Sequence, residues 1–508
     1  MQRNQTPCEV SGPLLNRVQW ERRVPSETIQ VDWLLTQPGR QTERRGAEIR
    51  IGAGKITGIG ALAPVGNGLI ALPGLVNAHD HGRAFRSSAL GAFDKPLESW
   101  LFYLGIIPGV DAYRAAAASL GRSALHGVGR VMVHYTRLQG LSDPVSEAGA
   151  VARAARDVGV HAGFAVAMRD RHPVTYAATA PTLDHLPAEI RAEVKARLDG
   201  PTLPPHEQLA LADAIAQACH GPGFNVQYGP TGVQWCSPEL LSLIADASAR
   251  NGRQVHMHLL ETRYQREWAD HAYPDGIVAH LRDIGLLGPR LTLAHCTYCR
   301  PEELELIAAS GATIVVNTSS NLGLRSGIAP VASMLERGCK VAMGLDGLAL
   351  DEDDDALREL RLLYHLHKGW GYETAISAAH AWQIASRHGR YAVSGIADQG
   401  EIVAGGLADL LILNGHVLMD DRVFDDVEAF DFVLARASAQ HIDKVIVAGS
   451  TIVADGRLTG LDYPAVMKEL LAELRSSIEP QDTWRRTVRE LDQALNPFYL
   501  GGHHLGCG

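Results

Sequence analysis

The sequence predicts an α/β protein: a (β/α)8 barrel of the TIM type with a small β-sandwich built from both chain ends. Three observations point there. Eight apolar, β-branched segments alternate with helical patterns through the middle of the chain. Short strands punctuated by glycine recur near both ends. The residues able to do chemistry fall at the C-terminal ends of the middle segments, where such barrels carry their sites.

The 508 residues suffice for one domain of about 250–300 residues and a smaller one, and exceed what a single core supports. A net charge of −10 and the lack of a long Lys/Arg cluster argue against a nucleic-acid surface. No apolar run approaches the roughly 18–20 residues of a membrane span. The first 25 residues carry Arg3, Arg17, Arg22 and Arg23 without an apolar leader core. Seven irregularly spaced cysteines argue against a disulfide framework and fit a reducing cytoplasm. The expected organisation is residues 1–70 as the first part of the sandwich and 71–398 as the barrel. Residues 399–460 then form the second part, and 461–508 a C-terminal helical segment and tail.

Taken in order, residues 29–35, 47–51 and 55–59 read as strands separated by Gly39, Gly52 and Gly54. The apolar run 69–76 leads into His79 and His81 and supplies the first barrel strand. Seven more follow at 130–136, 161–168, 224–228, 254–260, 291–296, 312–317 and 340–345. Helical patterns stand between them, for example at 111–125, 144–158, 238–250, 301–309 and 354–367. Segments 409–413, 442–447 and 451–453 return to short strands. The tail contains Asn496-Pro-Phe-Tyr and His503-His504, and either covers a neighbouring subunit or is loose.

Four strand ends carry reactive groups. In an extended strand residues i and i+2 share a face, so His79 and His81 can reach one point, as can His256 and His258. Glu261 lies just beyond His258, His295 ends the sixth strand, and Asp346 ends the eighth. Singly, each has a plain structural reading: His258 as a core histidine, Glu261 as a first-turn helix acid, Asp346 as a helix cap. Together they resist that reading, because buried charge is costly without a partner or a metal. Three imidazoles (His79, His81, His258) and the Asp346 carboxylate suffice for a mononuclear divalent site with a position left for water. His295 and Glu261 remain as proton-transfer groups.

This ordered set resembles the amidohydrolase superfamily, and within it the chlorohydrolase and aminohydrolase group that includes heterocycle deaminases. The matching pieces are Pro-Gly-Leu-Val-Asn-Ala-His79-Asp-His81, His256-Met-His258-Leu-Leu-Glu261-Thr, Ala-His295-Cys, Asn317-Thr-Ser-Ser-Asn321 and Gly-Leu-Asp346-Gly. Gly405-Gly-Leu-Ala-Asp409 resembles the return into that family's sandwich. The resemblance implies that His79, His81, His258 and Asp346 bind the metal, that Glu261 shuttles protons, and that His295 orients or polarises the attacked group. Binuclear relatives use a bridging lysine on strand four, and the only lysine between Lys95 and Lys340 is Lys195, in a helical pattern ahead of that strand. One divalent ion per subunit is therefore expected, Zn2+ with Fe2+ as the alternative.

A glutamate three residues after the strand-five ligand favours deamination, because ammonia must be protonated to leave. Dechlorination and amide or urea cleavage use the same water and stay open, as does a scaffold that lost its reaction, although all four ligands are present. Relatives that deaminate adenosyl or methylthio nucleosides usually carry a histidine after the strand-four Gly-Pro; this chain has Thr231, which counts against those nucleosides. Gln234 is a candidate to pair with a heterocycle edge, and Trp235 to stack on its face or to fill the core. Arg169 grips a substrate carboxylate or carbonyl oxygen, or pairs with Asp170. Asn321 and Arg325 line the mouth, or Asn321 caps a loop. The acidic run 351–355 reads as a solvated helix N-terminus. The expected partners are a small-molecule substrate and further copies of the chain in a dimer or larger homo-oligomer, with neither nucleic acid nor membrane.

Overall fold

The computed structural model describes residues 26–171, 175–176, 179–198, 202–348, 352–397, 400–478 and 483–505. The first 25 residues, with Arg3 to Arg23, and Asp351 of the acidic run lie outside the described residues. Eight parallel strands form the barrel sheet in sequence order: Leu75–Asp80, Val128–Tyr135, His161–Met168, Phe224–Pro230, Val255–Leu259, Leu291–His295, Thr313–Val316 and Lys340–Met343. Most of their residues are buried, as expected of strands covered on both faces. The barrel closes at the site itself, where the Asp346 N–H donates to the His79 carbonyl at 2.9 Å.

The expected helices form between the strands, and their starts show why. Asp111, Asp143, Ser237 and Asp355 each accept from backbone N–H groups of the first turn, which would otherwise lack partners. The acidic run is solvated only in part where it is described: Glu352 and Asp353 are half-buried. Asp354 is buried against Arg122 at 3.0 Å, and Asp355 is buried as the cap of the helix Ala356–His367. The helix Gly389–Ser394 packs against six barrel strands at their N-terminal ends. Its Val393 joins Val76, Ala78, Met132, Ala165, Val315 and Ala342 in a small apolar plug. That end is filled, so the polar groups gather at the other.

Both chain ends build the second sheet, with eight strands hydrogen-bonded in one row. It encloses its own core, including Ile29, Val31, Leu34, Ile49, Ile56, Leu410 and Ile412. The apolar run 69–76 divides between the two sheets. Leu69–Pro73 pairs antiparallel with Leu410–Asn414, whereas Leu75–Asp80 enters the barrel. Gly74 is the break, and its N–H donates to the Asp409 carbonyl at 3.0 Å. A side chain at Gly74 would stand 3.3 Å from the Asp409 backbone, a close approach that glycine relieves.

Over the described residues 483–505 the tail is docked rather than loose. Its helix Thr483–Leu500 buries Trp484, Val488, Leu491, Leu495 and Phe498 against the barrel of its own chain. No helix among the described residues is long and apolar enough to cross a membrane.

Candidate active site

The structure brings His79, His81, His258 and Asp346 to one point at the C-terminal end of the barrel. Asp346 Oδ1 lies 3.2 Å from His79 Nε2 and 3.1 Å from His81 Nε2. His258 Nε2 lies 3.3 Å from His81 Nε2. All four residues are buried or nearly so. The partners of the far ring atoms fix the tautomers. His81 Nδ1 donates to the His134 carbonyl at 2.8 Å, and His258 Nδ1 donates to the Thr231 carbonyl at 2.6 Å. Each Nε2 therefore presents a lone pair to the same point.

Burial lowers the proton affinity of both rings, taking His81 down to about 3, so neither is an imidazolium near neutrality. Lone pairs facing each other across 3.1–3.3 Å repel unless a cation sits among them. A tetrahedral ion with nitrogen and oxygen ligands at about 2.0–2.1 Å separates its ligand atoms by roughly 3.3 Å. His79 Nε2 and Asp346 Oδ1 are also buried without a hydrogen-bond partner. The donor set fits a divalent metal ion.

Around this cluster stands a layer of support. His79 Nδ1 faces His256 Nε2 at 2.7 Å, and Ser320 Oγ donates to Asp346 Oδ2 at 2.6 Å. Three strand-end residues hold left-handed backbone: Leu260 at φ 49°, His295 at 76° and Asp346 at 57°. Each such residue costs about 1 kcal/mol or more, and such strain gathers where surroundings dictate a side chain's aim.

Glu261 and His295 lie beside the cluster. Glu261 Oε2 is 3.6 Å from His295 Nε2, which is 4.0 Å from Asp346 Oδ2. Burial raises Glu261 to about 7, partly offset by His295 and reinforced by the Asp346 and Glu98 charges. His295 Nδ1 bonds Asn321 Oδ1 at 2.9 Å, which sets the ring's orientation.

A cavity of about 490 Å3 opens over these groups. Arg169 and Trp235 line it. Arg169 does not pair with Asp170, whose carboxylate is taken by the Ser237 N–H and hydroxyl. Gln234 is buried away from the cavity lining, and Asn321 serves His295 rather than the mouth. Arg325 pairs with Asp94 at 2.8 Å on the surface. Lys195 is exposed on the helix Ala188–Leu198. The cavity also has walls that sequence reasoning did not find: Glu98, Trp100, Arg137, Tyr176 and Tyr499. They come from helices and loops with no periodic signal, and only the apolar stripe of the last helix hinted at a docked tail.

The amidohydrolase family's sequence profile matches residues 70–452. A 5'-deoxyadenosine deaminase from Methanothermobacter thermautotrophicus is 28% identical over 412 residues, covering 79% of this chain and 86% of that protein. A 5-methylthioadenosine/S-adenosylhomocysteine deaminase from Moorella thermoacetica is 28% identical over 414 residues, with the same coverage of 79% and 86%. Among solved structures, zinc-complexed atrazine chlorohydrolase from Arthrobacter aurescens superposes with a TM-score of 0.71 at 22% identity, covering 88% of this chain and 99% of that one. A zinc-bound adenosine deaminase from Xanthomonas campestris gives 0.70 at 21%, covering 91% and 98%. The chain belongs to the amidohydrolase family and is a hydrolase acting on C–N bonds.

Proposed function

We propose that this protein is an aminohydrolase that removes an exocyclic amino group from a small nitrogen heterocycle. In this reading His79, His81, His258 and Asp346 hold one divalent ion, zinc ahead of iron. The observation that carries it is the set of lone pairs converging within 3.1–3.3 Å beneath a cavity that Glu261 and His295 also face. When bound, the ion supplies the Lewis acidity that makes water a nucleophile near neutral pH.

The residues then divide the proton work. Asp346 Oδ2 takes a proton from the attacking water as its oxygen bonds to the amino-bearing carbon. Glu261, raised to about 7, is protonated in a large share of molecules near neutrality and can give its proton to a ring nitrogen. The Glu261 carboxylate so formed takes the proton of the new C–O–H group and passes it to the departing nitrogen, the C–N bond breaks, ammonia leaves, and the proton held on Asp346 returns to Glu261, which lies in the same cluster. His295 donates through Nε2 to the atom that gathers negative charge. Trp235 stacks on the ring, and Arg169, which has no carboxylate partner among the described residues, holds an acidic or carbonyl substituent. Relatives named as deaminases of adenosine derivatives support testing those compounds, while Thr231 after the strand-four Gly-Pro argues for a different ring or substituent. The described cysteines are buried and unpaired, which supports a cytoplasmic setting.

The test combines metal analysis with a panel of amino- and chloro-substituted azines, pyrimidines and purines, including adenosine derivatives. About one divalent ion per chain and ammonia release from an aminated ring are expected. Chloride release alone would move the assignment to dechlorination, and a chain unable to hold zinc would end it. Arg169→Gln should raise KM about 10–100-fold for acidic substrates, because a charged hydrogen bond is worth about 1.5–3 kcal/mol.

A further inference from the structure

Residues 483–505 lie beyond the part of the chain that the family profile matches, yet they reach the catalytic cavity. The helix Thr483–Leu500 packs on two cavity-wall helices, Leu97–Tyr103 and Ala188–Leu198, and the turn His503–Leu505 packs on the helix Arg263–Ala272 outside the lining. Polar contacts fasten each junction. Asp492 accepts from Lys95 at 2.7 Å and from the Tyr103 hydroxyl at 3.1 Å. Thr483 and Thr487 donate to Glu193. His504 Nε2 meets Glu267 at 2.8 Å. The Trp484 ring lies 4.2 Å under the Arg197 guanidinium, which itself lines the cavity.

From this docked helix Tyr499 enters the lining. Its ring is buried between Tyr264, at 4.7 Å, and Tyr176, at 6.1 Å. Its hydroxyl has no protein partner among the described residues. Burial holds the phenol proton well above its ordinary range, so the group is a hydrogen-bond donor at every working pH. The cavity of about 490 Å3 falls in the range of about 300–1,000 Å3 that houses ligands larger than one bare ring.

We propose that residues 483–505 form part of the substrate site, and that Tyr499 selects heterocycles whose ring substituent reaches it across the cavity. The inference rests on the aminohydrolase reading and deepens it. The substrate class is a heterocycle with a substituent bearing a hydrogen-bond acceptor, and the tail sets the length that is accepted.

Calorimetry on the metal-replete full chain tests this, with Glu261→Gln as background to halt turnover. The probes are matched pairs of a bare ring and its substituted form: adenine with adenosine, cytosine with cytidine, and melamine with an N-carboxyalkyl melamine. Tyr499→Ala should weaken the substituted member of the binding pair about tenfold and leave the bare ring within about twofold. A merely structural role would weaken both members alike, and that result, or no change in either, overturns the proposal. Tyr499→Phe removes only the hydroxyl and should weaken the substituted probe about 2–10-fold. Should Tyr499→Ala lose its native circular dichroism, an unchanged Kd in Tyr499→Phe overturns the proposal by itself. A background protein that binds no member of any pair sinks the aminohydrolase reading instead.

Discussion

Single residues divide here into those that would hold the ion and those that would move protons, and two substitutions separate the roles. His258→Ala removes an Nε2 whose ring is fixed by the Thr231 carbonyl, so metal content should fall towards zero along with activity. Glu261→Gln is nearly isosteric, is hydrogen-bonded by Ser326, and touches no atom of the converging set. It should keep the ion and lose about 10²–10⁴-fold in kcat. Metal analysis and steady-state rates on the same preparations check both; full activity in Glu261→Gln would remove the proton shuttle. These residues were legible in the sequence because strand alternation and strand ends locate them without any tertiary knowledge. Gln234 was not. It sits one residue from Trp235 in a short turn, and nothing in the chain says which of two neighbours faces inward.

At the scale of elements, the short helix Thr318–Gly323 after the seventh strand supports two groups at once. Its Ser320 bonds Asp346 at 2.6 Å, and its Asn321 bonds His295 at 2.9 Å. Asn321→Ala should therefore free the His295 ring while leaving Asp346 bonded. The expected outcome is a 10–100-fold loss in kcat with metal content retained, the usual cost of removing a group that orients an active side chain. An unchanged kcat would show that His295 is oriented by other contacts. The Asn317-Thr-Ser-Ser-Asn321 motif was visible in the sequence, but whether its polar groups faced the mouth or the machinery depended on where the helix points. The wall helices Leu97–Tyr103 and Ala188–Leu198 were less legible still. The second has almost no amphipathic pattern, since only Ile190 and Val194 are buried along it.

Across the whole molecule, one buried carboxylate ties the second sheet to the barrel. Asp409 stands at the entry to the strand Leu410–Asn414 and binds Arg130 of the second barrel strand at 2.7 Å and Arg390 of the plugging helix. Its other oxygen accepts from the Ala448 N–H at 2.6 Å. Burial alone would raise this carboxyl, but the two guanidinium groups prevail and hold it far below the ordinary range. Folding thus lowers its pKa from about 3.9, and below that value the unfolded chain takes up a proton that the folded chain refuses. The stabilisation is full above about pH 4–5 and drains away as pH falls further towards the folded-state value. Asp409→Asn leaves two buried cations facing an amide, so it should cost about 3–5 kcal/mol at pH 7. The variant should also show a shallower loss of stability between about pH 5 and pH 3 than the parent chain. Urea unfolding followed across that range checks both: a parallel acid limb in the two proteins would show that this latch does not govern acid stability.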